Sequence, residues 1–259
     1  MGLLDDDRLF PLEGRARDLA RDLYAGIRDL PIVSPHGHTD PKWFATDEPW
    51  ENATSLLLAP DHYLFRMLYS QGVELERLGV RSRAGAPATD PREAWRAFAE
   101  HCHLFRGTPS RLWLDHVFAK VFGIEVRLEA STADHYYDLI TDALARPEFR
   151  PRALFDRFRI EFLATTEGAE ADLSHHHAIR TSGWQGRVVT TYRPDGVIDV
   201  EHEAFRPAMR RFAELTGEDV WSWRGYLEAH RKRRADFRDL DPDSAHTFTV
   251  AGVNSVGRG

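Results

Sequence analysis

Two segments, RFRIEFLATTE at 157–167 and RVVTTYRPD at 187–195, are rich in branched and aromatic residues and each runs into a polar end. Between them lies ADLSHHHAIRTSG at 171–183, which fits a helix stopped at Gly183. This order constrains the fold more than any other feature. Parallel strands need a long crossover, usually helical, so strand–helix–strand predicts parallel β/α units. In such folds chemistry gathers at the C-terminal ends of the strands. Thr165, Thr166 and Glu167 sit at one such end, and Arg193 and Asp195 at another.

An earlier apolar run, Leu30-Pro31-Ile32-Val33, leads into SPHGH, which is expected at a third strand end. Residues i and i+2 of an extended strand point to the same side, so His36 and His38 at the end of a buried strand would share one space. Two neutral imidazoles suit a divalent metal, zinc foremost. Gly37 lets the backbone come close to whatever is bound. Pro35 and Pro41 argue against a helix here. A solvated loop carrying two unrelated histidines is the plain alternative, since the chain has 13 of them.

The rest of the chain reads as mostly helical. Ala16, Leu19, Ala20, Leu23 and Ile27 recur at helical spacing between Glu13 and Leu30. Further helices are expected after Asp61, from Asp90 (N-cap) and Pro91 to His103, from Pro109 to Phe122, and from Thr132 to Ala145. A last pair spans about 203–240, and 241–259 reads as an irregular tail. The organisation is thus a first helix and strand (1–46), a helical insertion (47–150), further β/α units (151–240) and the tail.

A formal charge of -7 gives no general attraction to nucleic acid or to an anionic membrane, and no apolar run approaches the length of a membrane span. The basic run at 231–234 reads as the solvated end of a helix. Cys102 is the sole cysteine, so no intrachain disulfide forms and a reducing cytoplasm is the expected compartment. It reads as a small buried hydrophobe, with a thiol nucleophile as the alternative. The N-terminus carries three aspartates and is unlike a secretory leader.

Four stretches taken in order carry a resemblance. They are SPHGHTDPKWFATDEPWENATSLLLAPDHYLFRMLYSQGV, RGTPSRLWLDHVFAKVFGI, EFLATTEGAEADLSHH and GRVVTTYRPD. Together they resemble the uronate (glucuronate) isomerase family, a divergent branch of the amidohydrolase superfamily. The resemblance runs to about Asp239. It implies an α/β fold, a partial (β/α)8 barrel of the TIM type, here its first β/α units with a large helical insertion after the first strand. It also implies interconversion of D-glucuronate with D-fructuronate and of D-galacturonate with D-tagaturonate.

By motif match the resemblance implies that His36 and His38 hold a divalent metal, often zinc. Tyr63 of the DHY motif would take part in proton transfer, with His62 beside it, and Arg193 would contact the uronate sugar. The residue types suit the chemistry. Aldose–ketose isomerisation moves a proton through an enediol and needs a base and an electrophile. Arginine matches a carboxylate with a planar fork. Each also has a plain reading: Tyr63 as a core aromatic, Arg193 as a strand-end ion pair, and His62 and His175–His177 as helix-surface residues. Arg111 and Asp115 read as packing and capping residues that could also reach the pocket. A hydrolase of the same superfamily, or a non-catalytic product, is the rival function.

Members of that family are longer, and their later strands supply an aspartate that completes the metal site. This chain alone is therefore expected to hold an incomplete ligand set and to turn over poorly. The sequence leaves a homo-oligomer open.

Overall fold

The computed structural model describes residues 3–80 and 89–240, so the tail expected at 241–259 lies outside the described residues. The strands are β1 (Ile32–Ser34), β2 (Ile160–Gly168) and β3 (Val188–Arg193). The helices begin with α1 (Gly14–Ile27), α2 (Pro41–Thr46), α3 (His62–Ser70), α4 (Pro91–Glu100), α5 (Pro109–His116) and α6 (Ala133–Leu144). They continue with α7 (Pro151–Arg157), α8 (Ser174–Thr181), α9 (Asp195–Ile198), α10 (Phe205–Thr216) and α11 (Trp223–Asp239). No described helix is long and apolar enough to cross a membrane.

The chain divides into two compact units, Met1–Leu30 with Pro49–Arg150, and Pro31–Glu48 with Pro151–Gly259. The first helix thus groups with the helical region, whereas the sequence reading grouped it with the first strand.

The helical unit folds from well-marked starts. Asp90 accepts from the Arg92 amide and Thr108 from the Arg111 amide, each followed by a proline that needs no donor partner. Trp95, Phe98, Phe118 and Tyr136 are fully buried, with Phe118 and Tyr136 edge-to-face at 4.9 Å. Trp95 Nε1 donates to the Ala133 carbonyl at 3.1 Å, so the indole is buried without an orphaned donor. Cys102 lies inside this unit, and burial pushes its thiol up to about 11, which makes it a packing residue and a poor nucleophile. The stripe predicted on α1 forms on a true helix but is not covered: Leu19, Leu23 and Ile27 are 61%, 66% and 60% exposed.

The second unit is α/β. Its sheet is parallel throughout, in the order β1-β2-β3, as strand–helix–strand required. Leu163, Thr165 and Glu167 alternate onto one face, beside their register partners Val188, Thr190 and Tyr192. Helices cover that face. Phe44 of α2, Phe155 of α7 and Ile179 of α8 pack with Leu163 and Val188. Met209 and Phe212 of α10 and Phe237 of α11 pack with Tyr192. The opposite face carries Phe162, Ala164 and Val189, then Thr166, Thr191 and Arg193 toward the C-terminal ends.

Three expectations need correction. β1 is not a buried strand: it has three residues, and Ile32 and Val33 are 49% and 58% exposed. It pairs with β2 alone among the described residues, and Pro35 removes the donor that would extend it. The basic run is not wholly solvated, because Arg233 is buried and its guanidinium donates to the Ala169 and Ala171 carbonyls. Those carbonyls sit where β2 ends and have no ladder partner to satisfy them. The third concerns His176, and it belongs to the site.

Candidate active site at the strand ends

His36 and His38 lie beyond β1 rather than on it, so strand alternation is not what brings them together. They meet all the same, with ring centroids 5.1 Å apart and planes at 82°. Both rings are exposed. The loop is held against β2 by Thr166, whose hydroxyl donates to the Gly37 carbonyl at 3.2 Å and lies 3.4 Å from His38 Nδ1. Gly37 itself runs close to the strand, and an added Cβ would sit 3.4 Å from the Ala164 carbonyl.

Arg193 stands at the end of β3. Register puts it two residues beyond Thr191, the partner of Thr166, and therefore on the same sheet face. Its Nε reaches Asp195 Oδ2 at 3.2 Å, so the plain ion-pair reading is satisfied in part. The Nη edge of the fork is not used by that contact, which leaves it available to a carboxylate. Thr191, between them, is fully buried and its hydroxyl has no partner.

On the opposite face the same strand ends form a closed polar network. Glu167 Oε2 accepts from Thr165 Oγ1 at 2.7 Å and from Thr190 Oγ1. Thr165 Oγ1 also lies 2.9 Å from His176 Nε2 and 3.1 Å from the Val189 carbonyl. Burial pushes the Glu167 carboxyl above its ordinary value, against the pull of both threonine hydroxyls. Burial, with the neighbouring His175 and His177 charges, lowers His176 to about 4, so its imidazole is neutral at pH 7.

His176 was expected on a helix surface with His175 and His177. It is instead 3% exposed, because α8 turns that one residue of the three toward β2. Sequence reasoning missed it, along with Thr190 and Thr191. The available signal was that one member of a helical triplet between two strands must face the sheet.

Tyr63 and His62 belong to the other unit. They open α3, where Asp61 Oδ1 accepts from the Tyr63 and Leu64 amides at 2.8 and 3.3 Å. Their rings lie 4.2 Å apart, with Arg66 over the Tyr63 ring. Tyr63 is 63% exposed, which excludes the core-aromatic reading. Arg111 and Asp115 pair at 2.8 Å in the helical unit, with Arg111 Nη1 on Cys102 Sγ, and so act in packing there.

Among the described residues, no group of three His, Cys, Asp or Glu side chains is placed to hold a metal ion. The pair His36 and His38 fits two positions of such a shell by donor chemistry, and no described third side chain joins them.

These features define a class: an α/β protein whose parallel strands present two imidazoles and an arginine at their C-terminal ends. Comparison with known proteins narrows it. The chain belongs to the glucuronate isomerase family, whose model matches residues 8–250. It is 64% identical to a uronate isomerase of Phenylobacterium zucineum over 241 residues, 93% of this chain and 50% of that protein. It is 65% identical to a uronate isomerase of Caulobacter vibrioides over 240 residues, 93% of this chain and 49% of that protein. The crystal structure of glucuronate isomerase from Caulobacter crescentus matches with a TM-score of 0.90 at 64% identity, covering 93% of this chain and 50% of that one. The uronate isomerase structure from Thermotoga maritima matches at 0.80 with 28% identity, covering 92% and 49%. The chain spans about half the length of the curated relatives it matches.

Proposed function

We propose that this chain carries part of the machinery of a uronate isomerase, interconverting D-glucuronate with D-fructuronate and D-galacturonate with D-tagaturonate. The observation that carries the reading is that two imidazoles and the free edge of Arg193 occupy strand ends of one sheet in a chain of this family. The three parallel strands are then the first units of a (β/α)8 barrel of the amidohydrolase type, and 47–150 is a helical insertion. The setting is the cytoplasm and the ligand a small uronate sugar.

Arg193 takes the substrate carboxylate through its Nη edge while Asp195 holds Nε, which fixes the plane of the fork. The reaction removes the C2 proton of the aldose, passes through an enediol and returns a proton at C1, with the reverse path for the ketose. For Tyr63 and His62 the proton-transfer role rests on the family motif and on residue type, a phenol hydroxyl being able to give or take a proton, with the His62 ring 4.2 Å away and tilted at 32°. His36 and His38 would hold a divalent cation, zinc by donor type, which when bound polarises sugar oxygens.

The test is a coupled assay of D-glucuronate to D-fructuronate conversion, paired with calorimetric binding of D-glucuronate. D-Glucuronate binding that is lost in Arg193→Met supports the reading, as does any residual turnover, expected to be low in this chain, that is lost in Tyr63→Phe. Cleavage of amides or esters with no isomerisation would place the chain with the hydrolases of the superfamily. Neither binding nor turnover of a uronate would refute it.

A further inference from the structure

One hydroxyl beside the histidine pair links the loop backbone to an imidazole. Thr166 Oγ1 touches the Gly37 carbonyl at 3.2 Å and His38 Nδ1 at 3.4 Å. A hydroxyl has one proton, and a carbonyl oxygen only accepts, so both contacts are hydrogen bonds at once only when the Thr166 proton goes to Gly37. The contact to His38 is then a hydrogen bond only if Nδ1 carries the proton and donates. That places the free lone pair of His38 on Nε2.

The threonine is well placed to impose this. Its neighbours Thr165 and Glu167 point to the other face and are tied there to Thr190 and His176, which fixes the strand end. Thr166 therefore faces the loop by alternation, and its branched Cβ restricts χ1. The same hydroxyl holds Gly37, between the two histidines, so the loop backbone and the imidazole are set by one side chain.

We propose that Thr166 is a positioning residue for the histidine pair: it locks His38 as the Nδ1–H tautomer and so presents Nε2 as the ligating atom. The ligand half of this statement rests on the reading of His36 and His38 as a metal pair, whereas the tautomer half does not. Ligating histidines depend on the partner of their other nitrogen in this way, and loss of that partner commonly weakens metal binding by about 10–100-fold.

The experiment is long-range 1H–15N correlation of the imidazoles in the 15N-labelled 259-residue chain, metal-free, at a pH where imidazole is neutral. His38→Gln identifies the His38 signals. Wild type and Thr166→Ser should show His38 protonated at Nδ1 with bare Nε2, and Thr166→Val should move it to the Nε2–H form or a mixture. The His176 signals, from the far face of the same strand, should stay in place and report that the sheet is intact. Wild-type His38 already in the Nε2–H form, or a Thr166→Val spectrum identical to wild type, overturns the proposal, the first without need of any variant. Cobalt(II) titration of the same samples should then show binding about 10–100-fold weaker in Thr166→Val. A tautomer shift with no cobalt binding in wild type would leave Thr166 as the positioning residue and refute the metal reading alone.

Discussion

The helical region and the sheet region bury side chains of different kinds. In the helical unit the fully buried large residues are Trp95, Phe98, Phe105, Phe118 and Tyr136 with leucines around them, and the indole and phenol there find carbonyl partners. In the sheet unit the buried set includes Thr165, Thr190, Thr191, His176 and Arg233. Two of these keep polar atoms with no partner, the Thr191 hydroxyl and His176 Nδ1. Buried polar groups cost stability unless satisfied, so the second unit holds groups that packing alone does not justify. The contrast is one of degree and of place. Asp115 Oδ1 in the helical unit is also buried without a partner. In the sheet unit Thr165, Thr190 and His176 lie on the face away from His36, His38 and Arg193, whereas Thr191 lies on theirs.

The largest test strikes the helical side. Trp95→Ala should destabilise the helical unit by about 3–5 kcal/mol, seen as a lower urea midpoint. A loss under 1 kcal/mol would mean that this core is not what holds the unit together.

The next test uses pH on the sheet unit. His176 is lowered to about 4 in the fold against an ordinary 6.5, so the unfolded chain takes up its proton first. Its contribution is complete above pH 6.5 and is lost as pH falls toward 4, by about 3 kcal/mol at most. Glu167 is raised, so its effect has the opposite sign: it costs stability as pH rises through its folded value. His176→Gln should therefore remove the acid loss and leave the Glu167 trend, making the variant gain on wild type as pH drops from 6.5. Parallel pH profiles for the two proteins would show that His176 is not buried neutral.

A smaller effect is expected at Thr191. Replacing an unpartnered buried hydroxyl by a methyl of the same shape, Thr191→Val, should stabilise the chain by about 1 kcal/mol. A loss of that size would reveal a partner for the hydroxyl. Smallest is Leu19→Ala on α1, where the side chain is 61% exposed and the change should stay within about 0.5 kcal/mol. A larger loss would mean that the α1 stripe is covered in solution.

Much of the fold was legible for local reasons. Asp90-Pro91 and Thr108-Pro109 mark helix starts because capping is decided within four residues, and Gly123 and Gly183 take the positive φ that ends their segments. The parallel order of β2 and β3 followed from the helix between them. Of the site, His36, His38 and Arg193 were readable as residue types at strand ends, and the structure does bring the two imidazoles together. Strand alternation is not what makes them meet, because β1 ends at Ser34. It is a loop pinned by Thr166, not a strand, that joins them.

What the sequence determined by itself is therefore local: which segments coil, where they stop, and that the strands run parallel. Tertiary structure decided which faces are covered. Periodicity marks an apolar stripe on α1 as clearly as it marks the buried face of α4, yet α1 buries nothing and α4 buries Trp95 and Phe98. Three adjacent histidines look alike in the chain, and only the seating of α8 on β2 selects His176 for the interior. Burial and proton placement depend on partners far along the chain, so no short window of sequence contains them.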